Sequence, residues 1–244
     1  MEMTRPSSAA PRGGGATAAG PLRPRRPRVL FAMDWLDHEL TLGIAQYARE
    51  AAWIVNDMPV HTGVPPQRWG GDGVIANLNF HEGRLVDFVR GLTCPVVDMS
   101  NETPFIRVPR VLIDDAGVGR VGAEHLLARG VQHLAFVRVW NTCAENDRIH
   151  GFREAVEQAG MPLTLLDGRE MNSREIGTTG LTEWISRQVP ALPRPLGVMC
   201  QHDRESMMVV NGCEMAGLAV PEDVAVVGVT NERMICELGT VPLS

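Results

Sequence analysis

From residue 29 onward, short apolar runs alternate with longer stretches whose apolar positions recur at helical spacing. The runs "VLFAM" (29–33), "WIVND" (53–57), "GVIAN" (73–77), "PVVDM" (95–99), "VLID" (111–114), "LAFVRV" (134–139), "PLTLL" (162–166), "LGVMC" (196–200) and "VAVVGV" (224–229) are candidate strands. Most show no alternation of apolar and polar residues, as expected of strands covered on both faces. Between them "HELTLGIAQYARE", "RIHGFREAVEQAG", "GLTEWISRQV" and "ESMMVVNGCEMAG" read as amphipathic helices, several followed by glycine where a helix C-terminus favours one. Repeated strand and helix units imply parallel sheets with right-handed crossovers. Nine strands are many for one small sheet, and a break near "RVPRV" (107–111) divides them into two similar halves. The expected fold is α/β, with two doubly wound parallel-sheet subdomains at 29–110 and 111–239.

Composition narrows the chemistry. With 244 residues and 44% hydrophobic content, the chain is long enough for one large domain or two small ones. Residues 1–28 are rich in Pro, Gly, Ala and Arg, contain no apolar run and carry six arginines against one acid, so they are expected to form a disordered leader. The formal charge of −6 then leaves the remainder at −11, without a basic face for nucleic acid. No lysine occurs anywhere in the chain, which removes Schiff-base chemistry and the usual phosphate-loop NTPase. The five cysteines, Cys94, Cys143, Cys200, Cys213 and Cys236, are odd in number and lack a C-x-x-C pair, against a disulfide framework or structural zinc. No stretch approaches the roughly 20 apolar residues of a membrane span, and no secretory signal is read, so a cytoplasmic location is expected.

Doubly wound sheets bind ligands at the carboxyl ends of their strands. Those ends carry Asp34, Asn77, Asn79, Asp98, Asp114, Asp115, Trp140, Asn141, Asp203, Thr230 and Asn231. Carboxylates and amides pair well with hydroxyl groups, and an aromatic ring covers the apolar face of a sugar. For any single position a turn or helix cap is the commoner role; the set is the stronger signal. The segment "VLIDDAGVGRVGAEHLLARG" (111–130) has the G-x-G-x-x-G spacing of a dinucleotide loop at Gly117, Gly119 and Gly122. Asp114 and Asp115 would repel a pyrophosphate there, and "LAFVRVWN" lacks the acid that holds a ribose. Gly119 and Gly122 are better placed inside a helix that approaches a sheet closely. His202, Asp203, Glu205 and Ser206 have neither metalloprotease spacing nor a nucleophile elbow, so no metal, no cofactor and no catalytic residue is expected.

The runs "VLIDDAGVGRVGAEHLLARGVQHLAFV", "RIHGFREAVEQAGM" and "LGVMCQHDRESMMVVNGCEMAGLAVPEDVAVVGVTNE" resemble the sugar-binding core of the lactose and galactose repressor family, a type I periplasmic-binding-protein fold. The resemblance covers most of residues 29–244, and "GLAVPEDVAVVGVTNE" is its most specific piece. Within the family the chain is most similar to the xylose operon regulators, on "GIAQYARE", "RWGGDGVIA" and "VPLS". The resemblance implies an effector-sensing domain of a bacterial transcriptional regulator, not an enzyme. Its effector would be a sugar, xylose among the candidates, held in the cleft between the subdomains. It further implies a homodimer that reaches DNA only through a domain absent from this chain, of the arabinose-regulator type at the C-terminus of that subgroup. A return strand near 240–244 is then expected to be incomplete, as in a truncated product. Carried over by position, the ligand-binding residues are Arg148, Asp203 and Asn231, with Asp34, Asp37, Asp98 and Trp140 placed from strand ends. The chain departs from the family at Thr230, where an aspartate is usual. The alternatives are an extracytoplasmic sugar-binding transport receptor and an α/β nucleotide-binding enzyme.

Overall fold

A computed structural model describes residues 25–33, 38–79, 83–169, 171, 179–239 and 241. Most of the leader, together with Asp34 and Asp37, therefore lies outside the described residues. The strands are β1 (Arg28–Met33), β2 (Ile54–Asn56), β3 (Gly73–Asn77), β4 (Val96–Asp98), β5 (His133–Arg138), β6 (Leu163–Asp167), β7 (Leu196–Cys200) and β8 (Val224–Val227). They form two separate parallel sheets with the same winding, β2-β1-β3-β4 and β6-β5-β7-β8. The helices are α1 (His38–Glu50), α2 (Met58–Thr62), α3 (Arg84–Arg90), α4 (Asp115–Ala128), α5 (Cys143–Gln158), α6 (Gly180–Gln188), α7 (Asp203–Met215) and α8 (Arg233–Leu238). The α/β class and the two doubly wound sheets read from the apolar pattern are present.

Burial explains why the second-sheet strands read as unbroken apolar runs. Leu134 and Phe136 of β5, with Met199 and Val227, pack under α4 and α5 against Leu126, Ile149, Phe152 and Val156. The alternate residues Ala135 and Val137, with Val198 and Val226, pack under α6 and α7 against Leu181, Ile185, Val209 and Cys213. Both faces of each strand are thus covered, and period-2 alternation has nothing to mark. Helices α4 and α5 approach closely because both have glycine at the contact. A Cβ on Gly119 would lie 2.0 Å from the Arg148 carbonyl oxygen, and one on Gly151 would lie 1.9 Å from that of Ala116. Gly122 sits against the Met199 side chain, where a Cβ would meet Sδ at 2.5 Å. The G-x-G-x-x-G run is consequently a helix-packing surface: Asp114 caps α4 by accepting the Gly117 N–H at 2.9 Å, and all three glycines lie within the helix.

One expected strand is corrected. "VLID" (111–114) is not part of either sheet; it is the linker between β4 and α4. Its tie to a sheet is the bridge at Arg110 opposite Asp98, with the Val111 N–H donating to the Asp98 carbonyl at 3.0 Å. An apolar run becomes a strand only where a neighbour takes its hydrogen bonds. Val111 and Ile113 instead stand 66% and 68% exposed.

Candidate functional site at the carboxyl edges

The carboxyl edges of the two sheets meet at the start of α5. Thr142, the residue before the helix, accepts the Glu145 N–H at 3.1 Å, and the Cys143 N–H donates across to Glu102 Oε1 at 2.5 Å. Glu102 follows β4, so a buried acid of the first half caps a helix of the second, where the helix dipole favours negative charge.

Around this junction the second sheet gathers most of the polar side chains named from its sequence. Arg148, 4% exposed, projects from α5; its Nε donates to Asp115 at 2.7 Å and its Nη1 to the Gln201 carbonyl at 2.5 Å. The guanidinium thereby joins α4, α5 and the end of β7. Nη2 is left without a protein acceptor among the described residues. Trp140, two residues past β5, is 38% exposed and donates its indole N–H to Glu205 Oε1 at 3.0 Å. Gln201, buried directly after β7, donates from Nε2 to Thr142 Oγ1 at 3.3 Å, while its Oε1 is buried without a hydrogen-bond donor.

Asp203 and Asp98 are both held by hydrogen bonds from within the chain. Asp203 is 3% exposed, and its Oδ2 accepts the Thr230 hydroxyl at 3.2 Å and the Glu232 N–H at 2.6 Å. It thereby pins the turn between β8 and α8, in which Thr230 and Asn231 hold φ of 95° and 50°. A hydroxyl donates to Asp203, whereas an aspartate would face a second, buried carboxylate. Asp98 is fully buried; one oxygen accepts the Leu78 and Ser100 N–H groups at 3.2 and 3.1 Å, and Arg110 stands 3.4 Å from the other. The carboxylate of Asp98, placed from its strand end, is enclosed by these partners. Asn231 is exposed beside Asp203's turn and accepts weakly from the Cys236 thiol at 3.9 Å. Asp34 and Asp37 lie outside the described residues.

Three residues here, Glu145, Gln201 and Glu205, were not among the strand-end candidates, and Asp115, which was, was not among the residues placed on the ligand. Glu145 is fully buried; its Oε1 accepts the Val139 and Trp140 N–H groups at 2.9 and 3.1 Å, and its Oε2 stands 3.7 Å from Arg138 Nε. Burial pushes its carboxyl up to about 7. Burial also raises Asp98, Asp115, Asp203 and Glu205 above the ordinary carboxylate range. The available signal was position: Asp115, Glu145 and Glu205 each stand in the first turn of a helix that follows a strand end. Acids are common there for dipole reasons alone, so position did not separate them.

The arrangement suits recognition of hydroxyl groups. A partly exposed aromatic ring, an arginine donor and an exposed amide flank a buried polar edge. Among the described residues no group of three His, Cys, Asp or Glu side chains is placed to hold a metal ion, and no helix is long and apolar enough to cross a membrane. Burial raises the thiols of Cys143, Cys200, Cys213 and Cys236, away from nucleophilic character. The broad hollow of about 640 Å³ beside α4 and β8 is walled mainly by Ile113, Val118, Val121, Val227 and Val229 and does not include this edge.

Two parallel, identically wound sheets in one chain make a doubly wound α/β architecture of two similar halves. The chain belongs to the periplasmic binding protein-like domain family, whose model matches residues 123–244, half of the chain. It is 28% identical over 152 residues to the HTH-type transcriptional regulator DegA of Bacillus subtilis, covering 62% of this chain and 43% of that protein. It is 23% identical over 226 residues to the xylose operon regulatory protein of Haemophilus influenzae, covering 85% of this chain and 56% of that protein. The chain thus spans about half the length of the curated relatives it matches. Among solved structures, that of the xylose-binding transcription activator xylR superposes with a TM-score of 0.67 at 19% identity, over 90% of this chain and 57% of that one. The resemblance to the lactose and galactose repressor family read from the sequence is thereby matched in fold and in relatives.

Proposed function

We propose that this chain is the effector-sensing part of a transcription regulator, binding a sugar between the carboxyl edges of its two sheets and catalysing no reaction. The observation that carries this reading is the Arg148 edge. A guanidinium fixed by Asp115 and the Gln201 carbonyl keeps one nitrogen for a ligand, beside the partly exposed ring of Trp140. Arg148 would hold hydroxyls from one side and Trp140 would cover a ring face. Asn231, with Asp34 and Asp37 following β1, would complete the polar lining, while Asp98 and Asp203 hold the frame. The lobes at 29–110 and 111–239 would close on the ligand. Closure shifts the population between two hinge angles by no more than the ligand's difference in affinity for them. In a cytoplasmic homodimer that shift changes how the DNA-binding parts of the regulator are presented. The relatives' names support regulation, and the xylose regulators among them make pentoses the first ligands to try.

The test is a thermal-shift panel of pentoses, hexoses and their phosphates, with nucleotides as controls. One sugar is expected to stabilise the protein progressively with concentration, by about 2.7 kcal/mol at a hundred times its Kd. Arg148→Met should abolish the response. A response to nucleotides alone, or one unchanged by Arg148→Met, overturns the reading.

A further inference from the structure

Glu145 and Glu205 are buried acids that the hydroxyl-binding role leaves without a task, and both grip the same residue. The Trp140 backbone N–H donates to Glu145 Oε1 at 3.1 Å, and its indole N–H donates to Glu205 Oε1 at 3.0 Å. One side chain is thus held at its root from α5 and at its far edge from α7. A tryptophan ring has two side-chain torsions; anchoring the main chain and the indole nitrogen together fixes the plane of the ring. The second oxygen of each acid, Glu145 Oε2 and Glu205 Oε2, is buried without a hydrogen-bond partner. Among the described residues Arg138, at 3.7 Å, is the cation closest to Glu145, and Glu205 makes no ion pair within 4.0 Å. A buried carboxylate oxygen left without a hydrogen-bond partner weakens a fold. A helix-propensity or dipole role would be served equally well by an acid at the surface of the same turn. What distinguishes burial is the fixed orientation it gives to the side chain of a residue that remains 38% exposed.

We propose that Glu205, supported by Glu145, is the positioning residue of the Trp140 wall. It holds the indole so that its exposed face covers the C–H face of a ring-form carbohydrate, favouring cyclic polyols over open-chain ones. The proposal deepens the sugar reading of the same edge and rests on it. Glu205 touches no ligand itself; it acts through Trp140.

The experiment uses the full chain labelled with 5-fluorotryptophan, the Trp140 fluorine line being assigned by its loss in Trp140→Phe. Without ligand, Glu205→Leu should move that line toward the position of a solvent-exposed indole. Glu205→Gln, whose amide oxygen still accepts the indole N–H, should restore it. Glu205→Met serves as the apolar variant if the leucine chain does not fold. For whichever sugar of the panel binds, Glu205→Leu should weaken affinity about tenfold, the worth of one good hydrogen bond, and Glu205→Gln by less than about threefold. Open-chain alditols should gain relative to cyclic sugars in Glu205→Leu, and the loss should vanish in a Trp140→Phe background. An unmoved fluorine line overturns the positioning role, and so does a moved line with unchanged affinity. If the wild-type protein binds no sugar, the sugar reading fails, while the fluorine line still decides whether Glu205 holds the ring.

Discussion

The two halves share one winding order but are not built to the same depth. Around the second sheet, α4 and α5 bury Phe136, Phe152, Leu126 and Met199 on one face, and α6 and α7 bury Leu181, Ile185, Val198 and Val209 on the other. In the first half one face is comparable, with α3 covering Leu30, Val74 and Leu78. Among the described residues the opposite face has Val29, Phe31 and Met33 as its buried members, with Ile44, Trp53, Val55, Val60, Ile75 and Met99 partly buried against them. Its helix α1 buries Ala48 alone and leaves Leu40, Leu42 and Tyr47 exposed. Strand apolarity is nearly equal in the two sheets, so the difference lies in the helices. Cover, rather than strand sequence, decides how much each sheet contributes to stability.

The largest expected effect breaks the thicker half at its centre. Phe152 is fully buried and packs edge-to-face on Phe136 with centroids 5.7 Å apart. Phe152→Ala should cost about 3 to 5 kcal/mol in urea unfolding. Phe31→Ala, at an equally buried position under the thinner layer, should cost about 2 kcal/mol, because its surroundings can collapse into the space. Equal losses would show that the exposed faces of α1 do not reflect a weaker lobe.

The thicker half also buries more charge, which separates the lobes by pH. Asp115, Glu145, Asp203 and Glu205 lie in the second half, against Asp98 in the first, all raised by burial. Glu145 moves from 4.5 to about 7, so between those values the folded chain holds a proton that the unfolded chain has released. Stability is therefore fullest at the acidic end of this window and declines as pH rises through about 7. Asp72 and Asp167, lowered by hydrogen bonds from Arg28 and Arg169, act in the opposite sense at lower pH. Melting at pH 5.5 and 7.5 should show a loss on the order of 2 kcal/mol at the higher pH. Glu145→Gln should remove most of it, and a slope unchanged by that substitution would exclude Glu145 as its source.

The same contrast governs how much was legible in sequence. Unbroken apolar runs identified the sheets because burial on both faces is a property of the whole run. Arg148, expected by resemblance, and Trp140, expected from its place after a strand, both lie at this edge, and whether they hold a ligand is part of the proposal. Asp98 and Asp203 looked alike as acids near strand ends. Both turned inward, because the Leu78 N–H and Arg110 for Asp98, and the Glu232 N–H for Asp203, arrived from other segments of the chain. Glu145 and Glu205 had the local pattern of ordinary first-turn acids. Their burial depends on β5, α5 and α7 converging, which no window of neighbouring residues encodes. The linker at 111–114 failed for the converse reason: its residues suit a strand, but among the described residues no second strand lies beside it.

The smallest effect has opposite signs in the two halves. Gly43 lies in exposed α1 with nothing within 4 Å of an added Cβ, so Gly43→Ala should stabilise by about 1 kcal/mol through helix propensity alone. Gly151 lies in α5, where a Cβ would meet the Ala116 carbonyl oxygen at 1.9 Å, and backbone cannot rotate away as a side-chain tip would. Gly151→Ala gains the same propensity, yet α4 and α5 must separate to admit the methyl, at about 1 to 3 kcal/mol. Paired urea midpoints measure both. A destabilising Gly43→Ala would mean that α1 is packed against something beyond these residues, and a neutral Gly151→Ala that the two helices are free to slide.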